Sequence, residues 1–348
     1  MMGFPHYSLS LLQSILKKSL SCSTLFNMAE DFANKSQRIF DRLKEVASNS
    51  YYFGIDDTRM KILFHNNQIK NRIGIRTSAL VAEDKAPYFE KVKEGEEALL
   101  KKGNKICLFQ TGSQIAGEFC DDILEHKNKG TPKIILMSDA LSANNPKENY
   151  NLCERASCLV HARRNFYSIK DFYKEIVPDI LNLFSFVFNV EKECKLNELI
   201  GEERLKKHQD LSAKALVKIY LICRTHLKEG KVEPKSSIGK AMSYFLKHFK
   251  SLVCFLRLLD CPLENNETER LLKRMIKHRK NSMFYKTDVG ALIGDIIMSL
   301  GFTAWEAGID SKSYFEDIYL NFDKSEDVNN WLPWNWLKYR SNQLLNTN

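Results

Sequence analysis

Long apolar runs are missing from this 348-residue chain: none approaches the ~18 residues that a membrane span requires. Glycine (15) and proline (8) are too sparse for a collagen-like or low-complexity chain. The nine cysteines include no Cys-x-x-Cys pair and no repeated spacing, which excludes a disulfide framework and fits reduced thiols in the cytoplasm. Residues Met1 to Leu20 lack a basic segment followed by an apolar one, so no secretory leader is expected. Internal repeats are absent too.

What is present is an ordinary globular balance, with 44% hydrophobic and 27% charged residues. The length suits two domains or one domain carrying a large insertion. A net charge of +9 is a moderate excess that permits a phosphate-rich partner without requiring one. Where the excess clusters therefore matters more than its size.

Residues 1–50 read as helical. Leu11, Leu12, Ile15 and Leu16 precede Lys17 and Lys18, and Phe32, Ile39, Phe40, Leu43 and Val46 follow at near-helical intervals. Tyr51 to Ile55 reads as a strand ending at Asp56-Asp57-Thr58. Further strands are predicted from Ile73 to Val81, Lys105 to Phe109 and Ile134 to Met137, the last ending at Ser138-Asp139. Tyr88 to Leu100 reads as a loop or surface helix, and a helix carries Ile115, Phe119, Ile123 and Leu124 on one side. Strands alternating with a helix indicate a mixed α/β sheet. From 166 to 262 turn signals nearly vanish and amphipathic stretches dominate, which predicts an all-helical insertion. A new helix starts near Asn265, another spans Ala291 to Ala304, and the aromatic tail around Trp331, Trp334 and Trp336 should clamp onto the core. The expected units are 1–50, 51–165 for the first part of the core, 166–262 for the insertion, 263–322 for core completion and 323–348 for the tail.

Three carboxylates stand out by context: Asp56 and Asp139 at strand ends, and Glu269 in a helix. Metal-assisted phosphoryl transfer uses such a set, because oxygens on rigid elements can hold two Mg²⁺ ions ~3.5–4 Å apart. Asp57 should face away from Asp56 by the period-two rule. Each acid also has a bland reading: a strand-end turn at Asp56-Asp57-Thr58, an N-cap at Asp139 and a capping-box variant at Asn266-x-x-Glu269. Cys153, Cys158 and His161 suggest zinc, but no fourth ligand is near in sequence and the spacing weighs against it.

The motifs Asp56-Asp57-Thr58, Phe109 to Glu118, Ser138 to Ser142, Cys158-x-x-His161-Ala162-Arg163-Arg164, Asn265-Asn266-x-x-Glu269-Arg270, Arg279-Lys280-Asn281 and Leu332-Pro333-Trp334-Asn335 occur in one order. In that order the chain resembles the insertion-sequence-66 family of bacterial transposases over nearly its whole length. The resemblance implies an RNase H-like fold of DDE type, a mixed sheet with a large all-helical insertion before the last catalytic helix. It implies Asp56, Asp139 and Glu269 as the catalytic and metal-holding acids, with two Mg²⁺ (or Mn²⁺) ions as cofactors. It also implies double-stranded DNA, both element ends and target, as partner. A homodimer or higher oligomer on DNA, accessory proteins of the element, a cytoplasmic, nucleoid-associated location and no membrane complete the expectation. The family's N-terminal coiled coil, helix-turn-helix and cysteine-rich module find no counterpart here, and Ser113-Gln114-Ile115 stands where the family tends to have Arg-x-His. The second departure removes a cation and an imidazole; a complete triad in a shortened chain suggests a truncated copy.

His161, Arg163 and Arg164 are expected at a strand end beside the acids, where guanidinium groups grip phosphate bidentately, the alternative being that the two arginines are surface charges on the first turn of the insertion. Asn265, Asn266, Arg270, Lys273, Arg274, Lys277, Arg279 and Lys280 share the helix of Glu269 and would lead a phosphodiester toward it, although a solvated face is the common fate of such a run. Phe284 and Tyr285 read as core. A metal-dependent nuclease of the same fold, or a catalytically silent DNA-binding remnant that regulates full-length copies, are the competing readings.

Overall fold

The computed structural model of the chain describes residues 20–63, 74–91, 98–282, 284–323 and 325–346, with Leu9, Ser10 and Gln13. For residues 142, 275, 276, 278, 279, 281, 282 and 343–346 it describes the backbone only. Leu11, Leu12, Ile15, Leu16, Lys17, Lys18 and Ile73 lie outside the described residues.

Five strands form the central sheet: β1 (Tyr52–Arg59), β2 (Arg76–Glu83), β5 (Lys105–Gly112), β6 (Ile134–Ser138) and β7 (Cys153–Ser157). Their order is β5-β2-β1-β6-β7, antiparallel from β5 to β1 and parallel from β1 to β7. This mixed sheet, with helices on both faces, is an RNase H-like arrangement. β3 (Tyr88–Glu90) and β4 (Leu99–Lys101) pair as a separate two-stranded ribbon, where a loop or helix was expected. Strands of three residues leave too little alternation to be read from sequence.

β1 runs further than its apolar residues suggest. It pairs with β2 along its whole length, Asp56 opposite Ala79 and Arg59 opposite Arg76, so Asp56 lies inside the strand and not at its end. Alternation then sorts its faces. Phe53 and Ile55 enter one core with α1 (Cys22–Ser48) and α2 (Ala116–Leu124), and Tyr52 enters another on the opposite face. Asp57 points away from Asp56 and is held by Arg76 at 2.7 Å, as the period-two rule predicts.

On the Tyr52 face pack α3 (Leu159–Tyr167), α4 (Val177–Leu196), α6 (Ala213–Lys228) and α7 (Ser237–Leu252), with α5 (Gly201–Lys207) beside them. α8 (Asn266–Ser282) crosses the same face, with Leu271 and Leu272 against Ala79, Val81 and Phe109. α9 (Asp288–Glu306) covers the edge strand β5. Its Asp295, Ser299 and Thr303, four residues apart, accept hydrogen bonds from the Thr111, Phe109 and Cys107 amides at 2.6, 3.0 and 3.0 Å. A sheet edge is thus closed by helix side chains. α9 is apolar and long enough to cross a membrane by length and composition, but 56% of its most apolar window is buried in the fold. α10 (Ser311–Asn321) and α11 (Pro333–Asn346) pack on the opposite face with α1, in the core that holds Phe53 and Ile55, and the fully buried Trp331 sits there too, so the aromatic tail does clamp.

Candidate active site

The parallel pairing of β1 with β6 ends at Gly54 opposite Met137. Asp139 follows directly where β6 stops at Ser138, beside the part of β1 that carries Asp56, and its charge acts on that carboxyl. Glu269 arrives from the first turn of α8, which can approach only because position 54 has no side chain. A Cβ there would lie 2.1 Å from Thr268 Oγ1 and 2.8 Å from Asn265 Oδ1. Asn265, just before the helix, donates from Nδ2 to the Ile55 carbonyl at 3.1 Å, and Lys105 holds Glu267 at 2.8 Å. Three ties therefore fix where Glu269 stands.

Asp139 is positioned by its own loop. Its Oδ1 accepts the Leu141 amide at 3.2 Å and the Asn144 side-chain amide. That loop rests on α2, where a Cβ on Gly117 would lie 2.1 Å from the Asn145 carbonyl. Asp121 of α2 accepts the Lys147 and Asn149 amides at 2.7 and 2.8 Å. The Ala116-Gly117-Glu118 motif is in this way a close-packing device that holds the Asp139 loop.

The electrostatics are those of crowded acids. Burial is the main cause that pushes the Asp56 carboxyl up to about 7, and Asp139, Asp57 and Glu269 raise it further, against the Asp57 amide donating to it at 2.8 Å. Among the described residues neither Asp56 nor Asp139 forms an ion pair. Glu269 Oε1 is buried without a hydrogen-bond partner. The three carboxylates converge on one end of the sheet but are not among the sets whose ligand atoms gather within 4.8 Å.

The remaining predicted residues divide. His161 lies on the first turn of α3, not at a strand end, because β7 stops at Ser157 and Cys158 opens the helix. Its Nε2 is 3.8 Å from Glu269 Oε1. Arg163 stacks over Tyr167 at 5.4 Å and Arg164 is exposed, both on α3. Asn265 is 2% exposed and braces β1, which corrects its expected contact with DNA. Arg274 lies 3.5 Å over the Trp305 ring and 3.8 Å from Glu306, so it ties α8 to α9. Asn266, Arg270, Lys273, Lys277 and Lys280 form one exposed stripe along α8. The Arg279 side chain lies outside the described residues. Of the two aromatics expected in the core, Tyr285 packs there and Phe284 stays 40% exposed.

Sequence reasoning missed Arg155 and Tyr244. Arg155 of β7 and Tyr244 of α7 both feel the Asp139 charge. The Arg155 Nε and Nη2 atoms are buried without a hydrogen-bond partner, and burial lowers the pKa of the group. A lone arginine on a short strand gave no signal, and Tyr244 belongs to a helix remote in sequence.

Residues 3–292 match the model of the transposase IS66 family, and the chain belongs to that family. It is similar to the uncharacterized protein y4jD of Sinorhizobium fredii, 27% identical over 56% of this chain and 39% of that protein. The uncharacterized protein y4hP of the same organism is 25% identical over 52% of this chain and 35% of its own length. The chain thus spans little more than a third of the length of these curated relatives.

Proposed function

We propose that the chain is a DDE transposase that cleaves DNA phosphodiesters at the ends of its element and transfers the freed 3′-hydroxyl to target DNA. Asp56, Asp139 and Glu269 would hold the catalytic ions. What supports this reading is the convergence of three acids from two adjacent strands and one helix, with Asp56 kept from easy ionisation and unpaired with any described cation. Such a donor set, all carboxylate oxygen and mutually repelling, suits hard divalent cations. When bound, two Mg²⁺ or Mn²⁺ ions would activate the attacking oxygen and stabilise the leaving one.

The chain's own residues supply position. Asn265 and Thr268, seated over Gly54, hold the α8 turn that bears Glu269. Arg155 offers buried guanidinium donors beside Asp139, where a phosphate oxygen would satisfy them. The stripe from Asn266 to Lys280 neutralises the backbone of double-stranded DNA leading to the acids. The protein would act in the bacterial cytoplasm, as a homodimer or larger assembly on DNA. The test is cleavage and joining of DNA carrying the element's ends: Asp139→Asn should abolish both, and wild-type rates in that variant would refute the reading.

A further inference from the structure

Beside the acids lies a donor set of different chemistry. The Cys158 sulfur, a His161 ring nitrogen and a Glu269 oxygen lie within 4.8 Å of one another. Cys158 is fully buried at the start of α3, and the amides of Val160, His161 and Asn265 face its sulfur, the last at 3.4 Å. The His161 Nδ1 and Glu269 Oε1 atoms are both buried and have no hydrogen-bond partner.

The 3.8 Å gap from His161 Nε2 to Glu269 Oε1 is too long for a hydrogen bond. It is a few tenths of an ångström wider than the separation of two donors on a common ion, since a nitrogen and an oxygen at about 2.0–2.2 Å from a tetrahedral zinc stand roughly 3.3–3.5 Å apart. We propose that Cys158, His161 and Glu269 form a binding site for a borderline-soft divalent cation such as Zn²⁺, distinct from the all-oxygen set of Asp56 and Asp139. The sulfur and imidazole disfavour Mg²⁺ and select zinc, cobalt or their like. Three protein ligands leave a fourth position open. Glu269 is the shared member, so a soft ion here draws on the same carboxylate that the acid trio uses. Cys153, the other cysteine near in sequence, lies beside Cys120 and takes no part.

The test is titration of the full chain with Co²⁺, which reports thiolate ligation through a near-ultraviolet charge-transfer band, followed by displacement with Zn²⁺. Wild type should show the band at one equivalent and lose it to Zn²⁺. Cys158→Ser should lack it, and His161→Gln should weaken Co²⁺ binding at least about tenfold. Asp56→Asn should retain it. No band in wild type, or a band that survives in Cys158→Ser, overturns the site. Should Cys158→Ser fail to fold, an unchanged affinity in His161→Gln overturns it equally. Co²⁺ binding of this kind in a chain that cleaves no DNA would sink the transposase chemistry and leave the site standing.

Discussion

Replacing Asp56 by asparagine should stabilise the metal-free protein, and only above a definite pH. The carboxyl rises from 3.8 to about 7 on folding, chiefly through burial. The folded state therefore binds this proton more tightly than the unfolded chain, and stability is lost as pH rises from about 4 through 7. A shift near 3 units corresponds to at most about 4 kcal/mol. The side chain keeps some solvent contact, so about 2–4 kcal/mol is the working range. Asparagine keeps the Oδ1 that accepts the Asp57 amide and removes the charge. In urea denaturation with a chelator at about pH 8, the midpoint of Asp56→Asn should exceed wild type by about 1 M. At about pH 4 the two should nearly coincide. Mg²⁺ should then raise wild type and leave the variant unmoved. Equal midpoints at the higher pH, or the same gap at both pH values, would refute the idea that crowded acids await a cation.

Three further outcomes follow from packing and charge. Gly54→Ala places a Cβ 2.1 Å from Thr268 Oγ1; the helix must retreat, costing about 1–3 kcal/mol and roughly 10²-fold in cleavage through a displacement near 1 Å, with far-ultraviolet circular dichroism unchanged. The exposed pair Lys277→Ala/Lys280→Ala should flatten the slope of log affinity for duplex DNA against log salt by about 0.9 for each phosphate that is no longer neutralised. Arg274→Ala should leave that slope alone and lower stability by about 1–2 kcal/mol, because the guanidinium no longer stacks on Trp305.

Much of this architecture was legible because local pattern and global fold agree. Ile134 to Met137 had to be a buried strand, and the amphipathic run after Asn265 had to be a helix. Strand β1 was misjudged at its end because Asp56 and Asp57 are poor strand formers, held extended by pairing with Ala79 and Ser78. The acids were found through motif order. Their supports were not, since Gly54, Gly117 and Arg155 act through neighbours remote in sequence. Arg274 shows the converse: its place in a basic run pointed to DNA, and Trp305 claimed it. No spacing rule links Cys158 and His161 to Glu269, because α8 meets α3 only in the folded chain.

The most direct measurement counts Mn²⁺ ions bound to wild type and to the Asp56→Asn/Asp139→Asn double variant by electron paramagnetic resonance. If these acids hold the catalytic metal, wild type binds Mn²⁺ tightly and the double variant loses that binding while its fold persists. Undiminished Mn²⁺ binding in the double variant would contradict the account at its root.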